Sequence, residues 1–273
     1  MSKLIVNKLE ISNESPLVFI AGPCAIESRK HCLSMALSLK EIANELDVGL
    51  IFKSSFDKAN RTSIKSARGV GLNESLGIFT EIKAETGLPI LTDVHEQQQC
   101  DVIKDYVDII QIPAFLARQT DLIIAAAKTK KPVNIKKSQF MSPWDIKHST
   151  EKILSQSNNN ILLTERGYSF GYNNLVVDFR SIEIMKKLNF PIIFDATHSV
   201  QLPGGGETSG GQKEFIESLS TAAVSIGVSA IFAEVHDNPT RAISDGNNQL
   251  NLEEFKQLVK KLIEFDKLSK NYK

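Results

Sequence analysis

The chain has 273 residues, 42% hydrophobic and 23% charged, which is enough for a sizeable buried core. Its 32 basic and 32 acidic residues cancel, so no basic excess points to nucleic acid and no polybasic run to a membrane surface. No stretch approaches bilayer-spanning length, MSKLIVNKLEIS lacks a signal-peptide core, and the sparse Cys24, Cys32 and Cys100 read as reduced thiols of a cytoplasmic protein.

In chain order, Leu4–Ile11 predicts a short extra N-terminal strand, placed to plug a barrel bottom. β-rich apolar runs follow at 17–22, 49–54, 89–94, 108–113, 132–137, 160–165, 191–196 and 229–235. Helical patterns alternate with them near 28–46, 73–86, 96–105, 119–129, 143–156, 176–188, 213–227 and 251–269. In the last, Leu252, Phe255, Leu258, Val259, Leu262 and Ile263 fall at helical spacing. Ser28 and Ser142 are candidate N-caps, and Pro143 suits a first helical position. Strands alternating with helices imply a parallel sheet with right-handed crossovers. Eight such units within residues 1–273 predict one domain, a closed (β/α)8 TIM barrel. An open doubly wound sheet is the alternative, disfavoured because no G-x-G-x-x-G follows the first strand. The longest irregular stretches, 198–212 and 236–250, follow strands and suit mobile lids.

In such a barrel the polar residues at the strand C-terminal ends carry the chemistry. The stretch LIFKSSFDKANRTSI, residues 50–64, runs from an apolar strand into a loop bearing Lys53, Lys58 and Arg61. Cations there suggest an anionic partner, for which arginine offers a fork and lysine a point charge. Lys53 and Lys58, with Lys136 and Arg166 from other strand ends, give one cationic cluster. Four cations around one mouth require an anion to receive them. A second cluster, Cys24, His198, Glu234 and Asp245, comes from strands 1, 7 and 8, which barrel closure makes neighbours. A thiolate, an imidazole and two carboxylates suit one divalent transition metal: zinc, iron or manganese. Gln111, Asp93 and His95 also stand at strand ends. Cys32 and Cys100 read as buried small hydrophobes, and His31 and His148 as structural hydrogen bonders. His236 stays open, and alternation turns Lys137 away from the site that Lys136 enters.

AGPCAIES, KSSFDKANRTS, IIQIPAFLARQTDL, NIKKSQF, LLTERGYSFGYNNLVVDFRS and DATHSVQLPGG resemble the 3-deoxy-D-manno-octulosonate 8-phosphate synthases, in order and from about residue 17 to about residue 265. The resemblance implies a (β/α)8 barrel that condenses phosphoenolpyruvate with D-arabinose 5-phosphate and water, in lipopolysaccharide biosynthesis. It implies that Lys53, Lys58, Lys136, Arg166, Gln111 and the Ala114 backbone hold phosphoenolpyruvate. Asn60 matches a contact to the aldose hydroxyls. Arg61 and Thr62 match a clamp on the aldose phosphate that crosses a subunit boundary, so a homo-oligomer, a tetramer, is expected. The commoner residue at the Thr62 position is serine. Asp93 and His95 match site-lining residues, and Cys24 matches the metal-dependent class. The related 3-deoxy-D-arabino-heptulosonate 7-phosphate synthases share the GPC turn but read more like Lys-Pro-Arg-Thr where this chain has Lys58-Ala59-Asn60-Arg61. A Schiff-base aldolase with Lys53 or Lys136 as nucleophile, and a non-catalytic sugar-phosphate-binding barrel, are the readings from other classes.

Overall fold

A computed structural model describes residues 3–204 and 210–271. Residues 205–209, in the middle of one expected lid loop, lie outside the described residues. Eight parallel strands close into a barrel: β3 (Val18–Gly22), β4 (Gly49–Lys53), β5 (Ile90–Asp93), β6 (Ile109–Ile112), β7 (Val133–Lys136), β8 (Ile161–Glu165), β11 (Ile192–Asp195) and β14 (Ala230–Glu234). The crossover helices are α1 (Arg29–Leu46), α2 (Leu72–Thr86), α3 (Gln97–Ile103), α4 (Thr120–Lys128), α5 (Ile146–Leu154), α6 (Arg180–Lys186) and α7 (Ile216–Ile226), and α8 (Leu252–Lys270) completes the ring. The expected (β/α)8 barrel is the fold. Among the described residues, no helix is long and apolar enough to cross a membrane.

Strand alternation sorts the core into two layers. Outward residues such as Phe19, Phe52, Ile110, Leu163 and Phe194 pack against the helices. Inward Val18, Ile20, Ile51, Leu91, Ile109, Leu162, Ile193 and Phe232 fill the barrel. Fully burying such side chains contributes about 1.5–3 kcal/mol each.

The N-terminal segment is a hairpin rather than one strand. Its strands are β1 (Leu4–Val6) and β2 (Leu9–Ile11), paired antiparallel. Asn7, at positive φ, makes the turn between them. Leu4, Val6 and Ile11 join the inner core, as a plug would.

Two helix boundaries depart from the periodicity. Ser142 does not cap α5, which starts only at Ile146. Its hydroxyl bonds the Asp145 carboxylate and the chain turns there first. The segment expected to be helical from residue 176 opens instead with a small hairpin. That hairpin comprises β9 (Tyr168–Ser169) and β10 (Leu175–Val176), and α6 begins only at Arg180; β12 (Gln201–Leu202) and β13 (Gly210–Gly211) form a second antiparallel pair after β11. The Gly-Tyr-Asn-Asn turn between β9 and β10, with Gly171 and Asn173 at positive φ, stops any helix from running through. Ser28 does cap α1, its hydroxyl accepting the His31 N–H.

Candidate active site

The inner layer turns polar in a single step. Two residues beyond Ile51, Leu91, Ile109, Ile193 and Phe232, on the same barrel face, stand Lys53, Asp93, Gln111, Asp195 and Glu234. Period-2 alternation therefore aims these five polar side chains into the C-terminal mouth. The mouth is a cavity of about 530 Å³, lined by Lys53, Lys58, Asn60, Arg61, Thr62, Asp93, His95, Gln111, Ala114, Lys136, Arg166, His198, Glu234 and Asp245. Cys24 lies just behind this lining, its Sγ 3.2 Å from Asp245 Oδ2. Gly22, two residues earlier, lets β3 end close against β4, because a side chain there would overlap the Lys53 carbonyl.

Lys53, Lys136 and Arg166 are buried and Lys58 is half-buried, and the three lysines stand beside carboxylates. Lys53 Nζ is 3.5 Å from Glu234 and 4.0 Å from Asp93, and Lys58 Nζ is 3.8 Å from Glu234. Lys136 Nζ is 2.7 Å from Asp195 and stands 4.1 Å over the Phe232 ring. Burial lowers the Lys136 pKa even against the pull of Asp195. Burial also lowers that of Arg166, although Asp195, Glu165 and Asp245 oppose it. For Lys58 burial loses: Cys24, Glu234, Asp93 and Asp245 raise its pKa. Arg166 is 5% exposed, and its Nη1 is buried with no hydrogen-bond partner. A buried guanidinium nitrogen in that state is poised for an anion.

Asp195 is a hub absent from the sequence-derived site set. It accepts Lys136 and stands 2.9 Å from His198 Nδ1, which turns His198 Nε2 toward Glu234 at 3.7 Å. Burial raises the Asp195 pKa, but His198 and Lys136 more than reverse this and keep it charged. Gln201 joins the two clusters, accepting from Arg166 at 3.1 Å and donating to Asp245 at 2.9 Å. Ser55 donates to Asp93 at 2.5 Å, and His95 Nε2 lies 3.0 Å from the other Asp93 oxygen. Against burial, His95 and Lys53 hold Asp93 well below the usual carboxylate range. Asp195 stood at a strand end and was legible as such. Gln201 and Ser55 had no signal beyond lying in strand-end loops.

The second expected cluster is compact. Donor atoms of Cys24, Glu234 and Asp245 lie within 4.8 Å of one another, with His198 approaching from the Glu234 side. Glu234 Oε2 is buried without a hydrogen-bond partner. Burial, with Glu234, raises the Cys24 thiol well above its ordinary pKa. This donor set, with an orphaned carboxylate oxygen, fits a divalent transition metal, which would take the thiolate. Cys32 and Cys100 are buried in α1 and α3, their thiols pushed up to about 12 chiefly by burial.

Three expectations need adjustment or extension. Arg61 does not reach outward: it bonds Ser244 Oγ at 2.7 Å and the Ile243 carbonyl of its own chain, beside its own cavity. Lys137 is outside the cavity lining but buried, 3.4 Å from Glu165. Glu165 accepts the Arg166 and Gly167 N–H groups at 3.0 and 2.7 Å and so fixes the turn that presents Arg166. His148 is exposed beside Glu151, whereas His236 is buried against Glu27.

A family model described as the DAHP synthetase I family matches residues 3–271. Relatives named 2-dehydro-3-deoxyphosphooctonate aldolase from Brucella ovis, Brucella canis and Brucella abortus are each 52% identical over 270 residues, which is 98% of this chain and 98% of each relative.

Proposed function

Because the chain belongs to the DAHP synthetase I family, among its 2-dehydro-3-deoxyphosphooctonate aldolases, we propose that it condenses phosphoenolpyruvate with D-arabinose 5-phosphate and water. The products are 3-deoxy-D-manno-octulosonate 8-phosphate and inorganic phosphate, in lipopolysaccharide biosynthesis. The observation that carries this reading is the convergence of buried Lys53, Lys136 and Arg166 and half-buried Lys58 on one cavity.

Phosphoenolpyruvate brings a carboxylate and a phosphate to these cations. Arg166 receives one anionic group through its unpartnered Nη1, and the lysines receive the rest. Gln111 and the Ala114 backbone border the same cavity and orient the enol. Asn134 fixes the Gln111 amide by donating to its oxygen at 2.9 Å. Bond formation joins phosphoenolpyruvate C3 to the aldehyde carbon. Water adds at C2, and the bond from C2 to the phosphate oxygen breaks, so that phosphate leaves with that oxygen and its electron pair. Lys136 and Arg166 stabilise the charge that gathers on the departing phosphate. Asp93, paired with His95, and His198, paired with Asp195, are the groups placed to hold or move protons at the aldehyde oxygen and the water. Asn60, Arg61 and Thr62 take the aldose hydroxyls and phosphate at the outer rim.

Cys24, His198, Glu234 and Asp245 would hold one zinc, iron or manganese ion. When bound, such an ion supplies Lewis-acid polarisation and lowers the pKa of water. Lys53 and Lys58, 3.5 and 3.8 Å from Glu234, would face the substrate anion if Glu234 served as a ligand.

Lys136 must be charged to hold the anion, and its pKa is lowered. As pH rises through that lowered pKa, the charge and the affinity are lost together. The kcat/KM for phosphoenolpyruvate should therefore fall below the ordinary lysine pKa of about 10.4. Lys136→Arg should move the fall to higher pH, and an alkaline limb that ignores the substitution would contradict this assignment.

Asn60 reads the extra hydroxyl of the five-carbon aldose. Arabinose 5-phosphate should outcompete erythrose 4-phosphate in kcat/KM, because an amide left unpaired costs affinity. Equal turnover of the two would favour the heptulosonate reading.

The working form is a cytoplasmic homo-oligomer, a tetramer. Support comes from aromatic residues exposed around adjacent strand ends: Phe115, Phe140, Trp144, Phe170 and Tyr172. The Ser169 N–H bonds the Gln139 carbonyl at 2.7 Å, tying the hairpin that bears Phe170 to the segment that bears Phe140. Exposed aromatics gathered in this way mark a protein contact. Sedimentation should give a species larger than one chain, and Phe170→Glu with Tyr172→Glu should shift it toward monomer. A fully active wild-type monomer would overturn the oligomer.

A further inference from the structure

We propose that Glu27, His31 and His236 form a second transition-metal site at the barrel rim, separate from the Cys24 cluster. Glu27 immediately precedes the α1 cap, His31 lies in the first turn of α1, and His236 follows β14. Their donor atoms lie within 4.8 Å of one another, and no donor is shared with the Cys24 cluster. His236 Nε2 is 3.1 Å from Glu27 Oε1. Tetrahedral bonds of about 2.0–2.1 Å hold donors roughly 3.3 Å apart, so this pair is already near ligand spacing.

The decisive feature is Asp237. Its Oδ1 lies 3.0 Å from His31 Nε2 and 2.9 Å from His236 Nδ1. One carboxylate oxygen thus bonds the outer nitrogen of His31 and lies beside that of His236, which accepts the Asn238 N–H. Metal-ligating histidines typically place their outer N–H on such a carboxylate, which leaves the inner nitrogen for the ion. The inner nitrogen of His31, Nδ1, is buried and has no hydrogen-bond partner. The inner nitrogen of His236 faces Glu27. The Asn238 N–H lies 2.9 Å from both Asp237 Oδ1 and His236 Nδ1, so Asp237 keeps a backbone donor when the ring proton moves to Nδ1. The start of α1 is a weakly positive place for a cation, and Glu27 and Asp237 supply the charge that offsets it. Two imidazoles and a carboxylate select zinc, cobalt or nickel over magnesium and calcium. Glu27 Oε1 also accepts the Ile243 N–H at 3.0 Å, so the ion would tether the segment that leads to Asp245.

Cobalt(II) titration of the metal-stripped full chain tests this, with total bound metal and thiolate-to-cobalt absorption read together. Wild type should bind about two ions, of which one develops the thiolate band. His31→Ala should bind one fewer ion and keep the band, with unchanged circular dichroism. Asp237→Asn should weaken the bandless ion by about 10–100-fold. Cys24→Ser should lose the band and keep the second ion, so failure of the Cys24 centre reads differently from failure of this one. Wild type saturating without a bandless ion, or His31→Ala with undiminished stoichiometry, would overturn the proposal.

Discussion

Stripping the wild-type protein with a chelator is expected to lower turnover by at least ~10²–10³-fold and leave the barrel folded. Such a drop would follow from losing a Lewis acid worth several kcal/mol at the reacting centre. The fold should survive because the core is apolar and closed without any ion, from the Leu4–Ile11 plug to the Phe19, Phe52 and Phe194 layer. Zinc, manganese, iron or cobalt should restore activity, and magnesium less well, since Cys24 and His198 are poor magnesium donors. Reloading should release a proton at neutral pH, because the buried Cys24 thiol stands well above its ordinary pKa until an ion takes the thiolate. Cys24→Ser should reproduce most of the loss. Full activity in a preparation shown by elemental analysis to be metal-free would remove the centre from the account.

Lys136→Met is expected to damage both stability and catalysis, and the two effects can be separated. Asp195 is fully buried, and Lys136 is its nearest cation at 2.7 Å. Removing one partner of a buried pair costs about 3–5 kcal/mol, because the other charge stays buried. Loss of a cation aimed at developing charge should lower kcat by about 10²–10³-fold. Adding Asp195→Asn to Lys136→Met should recover much of the stability, since no bare carboxylate remains. It should recover no activity, and His198 should lose its orientation as well. Chemical denaturation and steady-state kinetics on the four proteins of this cycle give the answer. Activity that returned with stability would mean that Lys136 only supports the fold.

The barrel was legible because most of its strands repeat one code: an inward apolar residue, then a polar residue two positions later. Ile51 with Lys53, Leu91 with Asp93 and Phe232 with Glu234 carry it in plain sequence. The cations and the Cys24, His198, Glu234 and Asp245 set could be read for the same reason, once closure placed strands 8 and 1 side by side. Residues that act through others were not legible. Gln201 matters because it spans from Arg166 to Asp245, a relation that only the folded loop creates. Asp195 was visible at a strand end, yet its hold on both Lys136 and His198 depends on barrel geometry. Local boundaries failed where turn chemistry outranked periodicity, as at Ser142 and in the 168–176 hairpin. His31 reads as an ordinary helix residue until α1 docks beside His236.

The most direct measurement is phosphate release from phosphoenolpyruvate by the metal-loaded protein, with and without arabinose 5-phosphate. Release is expected only when both substrates are present, in step with formation of the eight-carbon sugar phosphate. That release should be lost in Lys136→Met and Arg166→Ala. Phosphate released at the same rate without the aldose, or no release with both substrates and metal supplied, would contradict the assignment of this site to the condensation.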